Sequence, residues 1–426
     1  MEMQKEKRKA LPILPVDLEI EILSRLPAKS VVRFRSMSKL WSSITTTPHF
    51  IKSFNVHSSA RPSLLRVLED GMERVFFSFP YHQDPQNRYT PVEKYHMLTS
   101  SELVGAFGGD HPFPFPITYR ILNSINGLML STNNIYTITV WNPSLRQHVK
   151  LPEIKFHFDS PLLCYLGYDP IDQKYKVLAM SCNKYSPGGN IRVLTLGAQE
   201  SWRVIKVPSG ISQDQDDIPL KHSIKSGVIY SESLVQGGIC INGVVYFHEI
   251  LSNFIMSFNV RSETFDTIKK PDGACGRLDR YVITYALINY QGKLAWICCR
   301  SNRLWVLEEA KSKLDWSLSY LNPLNRDPST DDDDQMIHSS KHYFSGVTHA
   351  HEVIYMPKNK KKPFCALYHD LKSNSTRQVA YQEINHKWSY CDDYGSPGFK
   401  EMFNYDYFPN HIENIMSLKS LGLADS

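Results

Sequence analysis

The sequence predicts a small all-α head followed by an all-β domain, a β-propeller of about six four-stranded blades. Three observations carry this reading. Apolar residues recur at helical spacing through the first fifty positions and lose that spacing after Phe50. Short apolar runs then alternate with turn residues in a recurring unit of about 40–55 residues. Aromatics make up 12% of the chain, with 23 Tyr and 20 Phe, a composition that favours strands. The head is expected over residues 11–54 as three short helices and the β-domain over 60–390, with 391–426 fitting neither.

In the first helix Leu18, Ile22 and Leu26 fall at i, i+4 and i+8, and Leu23 widens the stripe. Pro15 suits the first turn. Asp17, Glu19 and Glu21 lie early and Arg25 late, as the helix dipole prefers, and Pro27 stops the helix. A second helix starts near Ala28 and buries Val31 and Phe34, with Met37 as a further candidate. Ser38 is placed to cap a third helix carrying Leu40, Trp41 and Ile44. A unit of about fifty residues buries too little surface to be content alone. Its apolar excess is met either by a second molecule or by the chain's own β-domain.

The clearest β-unit runs from Gly238: Ile239-Cys240-Ile241, the hairpin signal Asn242-Gly243, Val244–Phe247, Ile255–Val260 and Phe265–Ile268. Similar copies begin at Asn126-Gly127, at Gln291-Gly292 and at Val353. Looser ones cover Tyr175–Val207 and Leu64–Phe79. Strands buried on both faces between neighbouring blades read as apolar runs rather than strict alternation, and these do. A closed ring of such units removes most exposed edges; a large sandwich or two smaller β-domains are the competing arrangements.

The charge distribution excludes several classes of function. Residues 1–50 hold nine Lys/Arg and five Asp/Glu, so the head carries +4 of the chain's net +5 and the remainder only +1. Such a balance lacks the basic face that a phosphate backbone needs, so nucleic acid is not an expected partner. No apolar run approaches the ~20 residues that cross a bilayer, and no membrane partner or secretory leader is expected. The eight cysteines include no Cys-x-x-Cys pair and read as buried thiols of a reducing compartment rather than disulfides.

No phosphate-binding loop, nucleotide fingerprint, Gly-x-Ser-x-Gly elbow or His-Glu-x-x-His helix occurs, and no carboxylate pair is spaced for acid–base work. No catalytic set and no cofactor are therefore expected. His349-Ala350-His351-Glu352 reads as a turn between two strands rather than a metal site, and Asp331–Asp334 as a solvated loop without the Gly turn of a calcium site. The basic clusters Lys5–Lys9 and Lys358–Lys362 suit nuclear import or exposed loop tips equally.

The segment Leu14 to Trp41 resembles an F-box, the motif that docks on a Skp-type adaptor in a cullin-based ubiquitin ligase. The shared pattern is Leu14-Pro15, an acid-rich helix with Ile22-Leu23, a second Leu26-Pro27, a basic-apolar helix ending Arg33-Phe34-Arg35, and Lys39-Leu40-Trp41. Met37 and Ser38 stand where the family often has Val and Cys. The resemblance implies that Leu14, Pro15, Ile22, Leu26, Pro27, Val31, Phe34 and Trp41 form the fold and the adaptor contact, with Lys39 at its rim. The pattern does not sort core from contact.

The following region resembles the F-box-associated domain of a large plant-type family. The matching phrases include Val140-Trp141-Asn142-Pro143-Ser144, Leu166-Gly167-Tyr168-Asp169, Tyr175-Lys176-Val177 and Ile241-Asn242-Gly243-Val244-Val245-Tyr246. Together the two resemblances imply a non-catalytic substrate-recognition subunit, bound through the adaptor to a cullin, acting in the nucleus and/or cytoplasm on an unnamed protein target. The alternative is a carbohydrate- or small-ligand-binding propeller with a helical cap, using Trp141, Trp202, Trp296 and Trp305 for stacking. The loops Tyr81–Thr90, Gly108–Pro116 and Ser209–Lys225 are candidate target contacts because they are long and irregular.

Overall fold

A computed structural model describes residues 14–70, 73–81, 93–98, 119–133, 137–154, 162–181, 190–198, 201–205, 238–248, 253–274, 285–298, 303–310, 313–321, 342–357, 364–373, 375–381 and 405–421. Four helices open the chain: α1 Val16–Ser24, α2 Ala28–Met37, α3 Lys39–Thr45 and α4 Pro48–Ser59. The Ser38 hydroxyl accepts the Trp41 N–H at 3.4 Å and caps α3, as its position suggests. The fourth helix corrects the expected three, and it runs past the expected boundary at 54. Thr47 caps it by accepting the Phe50 N–H at 3.2 Å, and Pro48 takes the first turn. Phe50, Phe54 and Ser58 form its buried stripe.

Six antiparallel four-stranded sheets follow. Blade one contains Ser63–Asp70, Glu73–Pro80, Glu93–Leu98 and, from the far end of the chain, Tyr405–His411. Blade two contains Tyr119–Ile125, Leu128–Asn133, Ile138–Asn142 and Gln147–Lys150. Blade three contains Leu162–Asp169, Lys174–Ser181, Asn190–Thr195 and Arg203–Ile205. Blade four contains Ile239–Ile241, Val244–His248, Phe254–Asn259 and Phe265–Lys269. Blade five contains Tyr285–Tyr290, Lys293–Cys298, Arg303–Ala310 and Lys313–Tyr320. Blade six contains His342–Val347, Glu352–Pro357, Phe364–Asp370 and Ser375–Tyr381.

The inner strands touch in cyclic order, from Tyr405–His411 through blades two to six and back again, so the ring is closed. Six buried clusters fill the gaps between neighbouring blades. One example sets Leu65, Val67 and Phe76 of blade one against Met129 and Trp141 of blade two. Closure is made by the segment that the sequence left unassigned: Tyr405–His411 pairs with Ser63–Leu68 as the innermost strand of blade one. Pro409 is tolerated there because Gly346, in blade six, has no side chain; a Cβ would meet Pro409 Cγ at 2.4 Å.

Strands reverse direction across an antiparallel blade, so the first-to-second and third-to-fourth turns share one face of the ring. The helical head sits on that face, over blade two. There α2 contacts the turn Pro143–Leu145. The strand ends flanking residues 99–118 and 206–237 open on the opposite face. The candidate contact loops 82–90, Gly108–Pro116 and Ser209–Lys225 lie outside the described residues, as do Asp331–Asp334, Lys5–Lys9 and Lys358–Lys362.

Candidate functional site

The head has its own core, and that core decides which apolar residues remain outside. Leu23, Ala28, Val31, Ile44, Phe50 and Phe54 are buried together, with Ile20, Leu26, Phe34 and Trp41 packed partly against them. Phe34 and Trp41 meet edge to face, with centroids 5.1 Å apart. The Trp41 indole N–H donates to the Glu19 carboxylate at 3.2 Å and ties α3 to α1.

With that core filled, α1 still presents apolar side chains outward. Leu14 is 42% exposed, Leu18 50% and Ile22 51%. Leu18 and Ile22 stand at i and i+4, so they lie along one flank of α1, and Leu14 lies just before the helix starts. Val16, Val32, Met37, Leu40 and Val56 are also exposed. Eight of the thirteen exposed large apolar side chains among the described residues thus belong to residues 14–59, which concentrates unsatisfied apolar surface on the smallest part of the fold.

The sequence-derived site residues separate into two groups. Leu14, Pro15, Ile22, Pro27 and Lys39 are exposed. Leu26, Phe34 and Trp41 are half-buried, and Val31 is fully enclosed in the head core. Val31 therefore offers no surface of its own. Leu18, Val32, Met37 and Leu40 were not among the expected contacts; their signal was an apolar residue on a helix whose core positions were already taken. Met37, a further candidate for burial, faces outward, and so does Leu40; α2 and α3 bury Val31 and Ile44.

Elsewhere the candidate chemistry is absorbed by structure. Trp141, Trp296 and Trp305 are buried between blades. Trp202 packs against the cluster between blades two and three and donates to the Pro152 carbonyl at 2.7 Å. Among the described residues no three His, Cys, Asp or Glu converge as a metal-ligating group. His349–His351 lies in the turn between the first two strands of blade six, and Glu352 opens the second strand. Of the described cysteines, Cys164, Cys240 and Cys365 are free thiols, and burial pushes those of Cys164 and Cys240 upward.

The chain is a ring-closed propeller carrying a helical head with a solvent-facing apolar flank. Comparison with known proteins identifies the family. Residues 11–53 match the F-box domain, and residues 63–412 match the F-box associated beta propeller domain. The Arabidopsis thaliana F-box protein At4g21240 is 37% identical, covering 96% of this chain and 91% of its own length. At1g47730 of the same plant is 33% identical over 95% and 94% of the two chains, and the F-box protein DOR is 30% identical over 94% and 93%. The chain belongs to the F-box proteins that carry an F-box-associated propeller.

Proposed function

We propose that this protein is the substrate-recognition subunit of an SCF-type (Skp-cullin-F-box) ubiquitin ligase and has no catalytic activity of its own. The observation that carries the reading is the outward apolar flank of α1, Leu18 and Ile22, with exposed Leu14 just before it, on a head whose own core is filled by other apolar side chains. A Skp-type adaptor covers that flank and links it to a cullin. The propeller holds a target protein, and tethering raises the local concentration of target lysines around the ubiquitin-loaded enzyme. No observation favours a carbohydrate-binding propeller, because the tryptophans that would stack on sugars line the gaps between blades.

The test is copurification from plant cells. Tagged wild-type chain brings down the adaptor and cullin, whereas Leu14→Ala/Pro15→Ala loses both with the propeller still folded. Equal recovery of the adaptor by both proteins overturns the reading.

A further inference from the structure

We infer that residues 413–418 form a positioning strap that fixes the head on the propeller. The strap thereby sets the orientation between the adaptor seat and the target-binding ring. The segment lies beyond residues 63–412, which match the propeller family, and this role rests on the ligase reading for its purpose.

From Glu413 to Met416 successive residues serve the two sides in turn. Glu413 and Ile415 serve the head. The Glu413 carboxylate accepts the Ala28 N–H at 3.0 Å, and its carbonyl accepts the Ser58 hydroxyl at 2.9 Å. The Ile415 side chain is buried in the head core with Val31, Phe50 and Phe54, and its carbonyl accepts Arg35 Nη2 at 3.3 Å.

Asn414, Met416 and Leu418 serve the propeller. Asn414 donates its side-chain N–H to the Asn126 carbonyl at 2.6 Å and its backbone N–H to Ser144 Oγ at 2.9 Å. The Met416 carbonyl accepts Asn142 Nδ2 at 2.8 Å. Leu418 is buried in the cluster between blades two and three, and its N–H donates to Gln147 Oε1 at 2.9 Å.

The mechanical consequence follows from connectivity. The only covalent joint between head and ring is residues 60–62, between α4 and the first strand of blade one. A body held at one short joint keeps rotational freedom about it. The strap, arriving from the opposite end of the chain, adds to the direct contact of α2 with the turn Pro143–Leu145, and the two together remove that freedom. The head of this chain is thus completed by a side chain some four hundred residues from its start.

The experiment uses the full chain with encoded spin labels replacing exposed Lys29 on α2 and Lys372 on blade six. The wild type gives one narrow distance distribution, and Ile415→Val keeps it. Ile415→Asp broadens it and speeds amide exchange in α2 and α4 by at least about tenfold, with exchange in the blades unchanged. Should Ile415→Asp not fold, Asn414→Ala, which leaves the head core intact, decides by the same two readouts. A narrow distribution and unchanged helix exchange in whichever variant folds overturns the strap. Adaptor binding is not among these readouts, so a failure of the ligase reading leaves this test standing.

Discussion

The carboxylate of Glu413 accepts the backbone N–H of Ala28 at 3.0 Å, so the end of the chain caps a helix near its beginning. The residue before α2, Pro27, has no side-chain oxygen to do this. An anion at that position also opposes the positive end of the α2 dipole. Sequence-local capping is replaced here by a long-range contact, and the stability of the head depends on the ring closing beneath it.

Glu413→Ala removes that cap. The expected loss is about 1 kcal/mol of head stability, the usual value of an N-terminal cap. Hydrogen exchange in α2 is the measurement, and it should rise while the blades keep their protection.

Gly127→Ala should destabilise the region under the strap. Gly127 has φ of +79°, in the left-handed region, and a Cβ there would lie 2.4 Å from the Ile412 carbonyl oxygen and 2.8 Å from Asn414 Cβ. Backbone strain and the clash together should remove about 1–3 kcal/mol. Denaturant unfolding gives the magnitude, and faster exchange in residues 412–418 gives the location.

Stability should fall in mild acid through His411, at the end of the strand that closes the ring. Burial pushes its pKa down to about 4, against ~6.5 in an unfolded chain. Above ~6.5 neither state binds the proton; between the two values only the unfolded chain does. The contribution is therefore fully present above ~6.5, declines as the pH drops and levels off near 4, a total of about 3 kcal/mol. Urea unfolding measured at several pH values across this interval checks it. His411→Gln should flatten that part of the profile, and an unchanged slope would remove His411 as the cause.

Val31→Asp and Leu18→Asp should behave oppositely. Val31 is fully enclosed, and an unpaired carboxylate among Phe50, Phe54 and Ile415 should unfold the head. Leu18 is half in water, so the same substitution should change stability by no more than about 0.5 kcal/mol. Helical circular dichroism and exchange in α1 to α4 separate the two.

Much of this fold was legible because local rules and global structure agree. The hairpins at Asn126-Gly127, Asn242-Gly243 and Gln291-Gly292 all join the first and second strands of a blade, and the apolar runs between them became buried strands. The last strand was not legible. Tyr405–His411 contains Pro409, and its partner on one side is Ser63–Leu68, at the other end of the chain, which no local pattern encodes. The head illustrates a different limit. Helical period located α1, but both of its flanks are apolar, so the period could not say that Ile20 and Leu23 turn inward while Leu18 and Ile22 face out. Only the packing of α2 to α4 and of Ile415 makes that choice. The fourth helix had a signal in Thr47-Pro48 followed by Phe50, Phe54 and Ser58, although α4 crosses the point where strand-like texture takes over.

Titration calorimetry of a purified Skp-type adaptor into the full chain tests the central claim most directly. The wild type should bind saturably at one-to-one stoichiometry, and Leu18→Asp/Ile22→Asp should bind at least about 100-fold more weakly with an unchanged thermal unfolding curve. Equal affinity in the two proteins, or no binding by the wild type, would contradict an adaptor seat on α1.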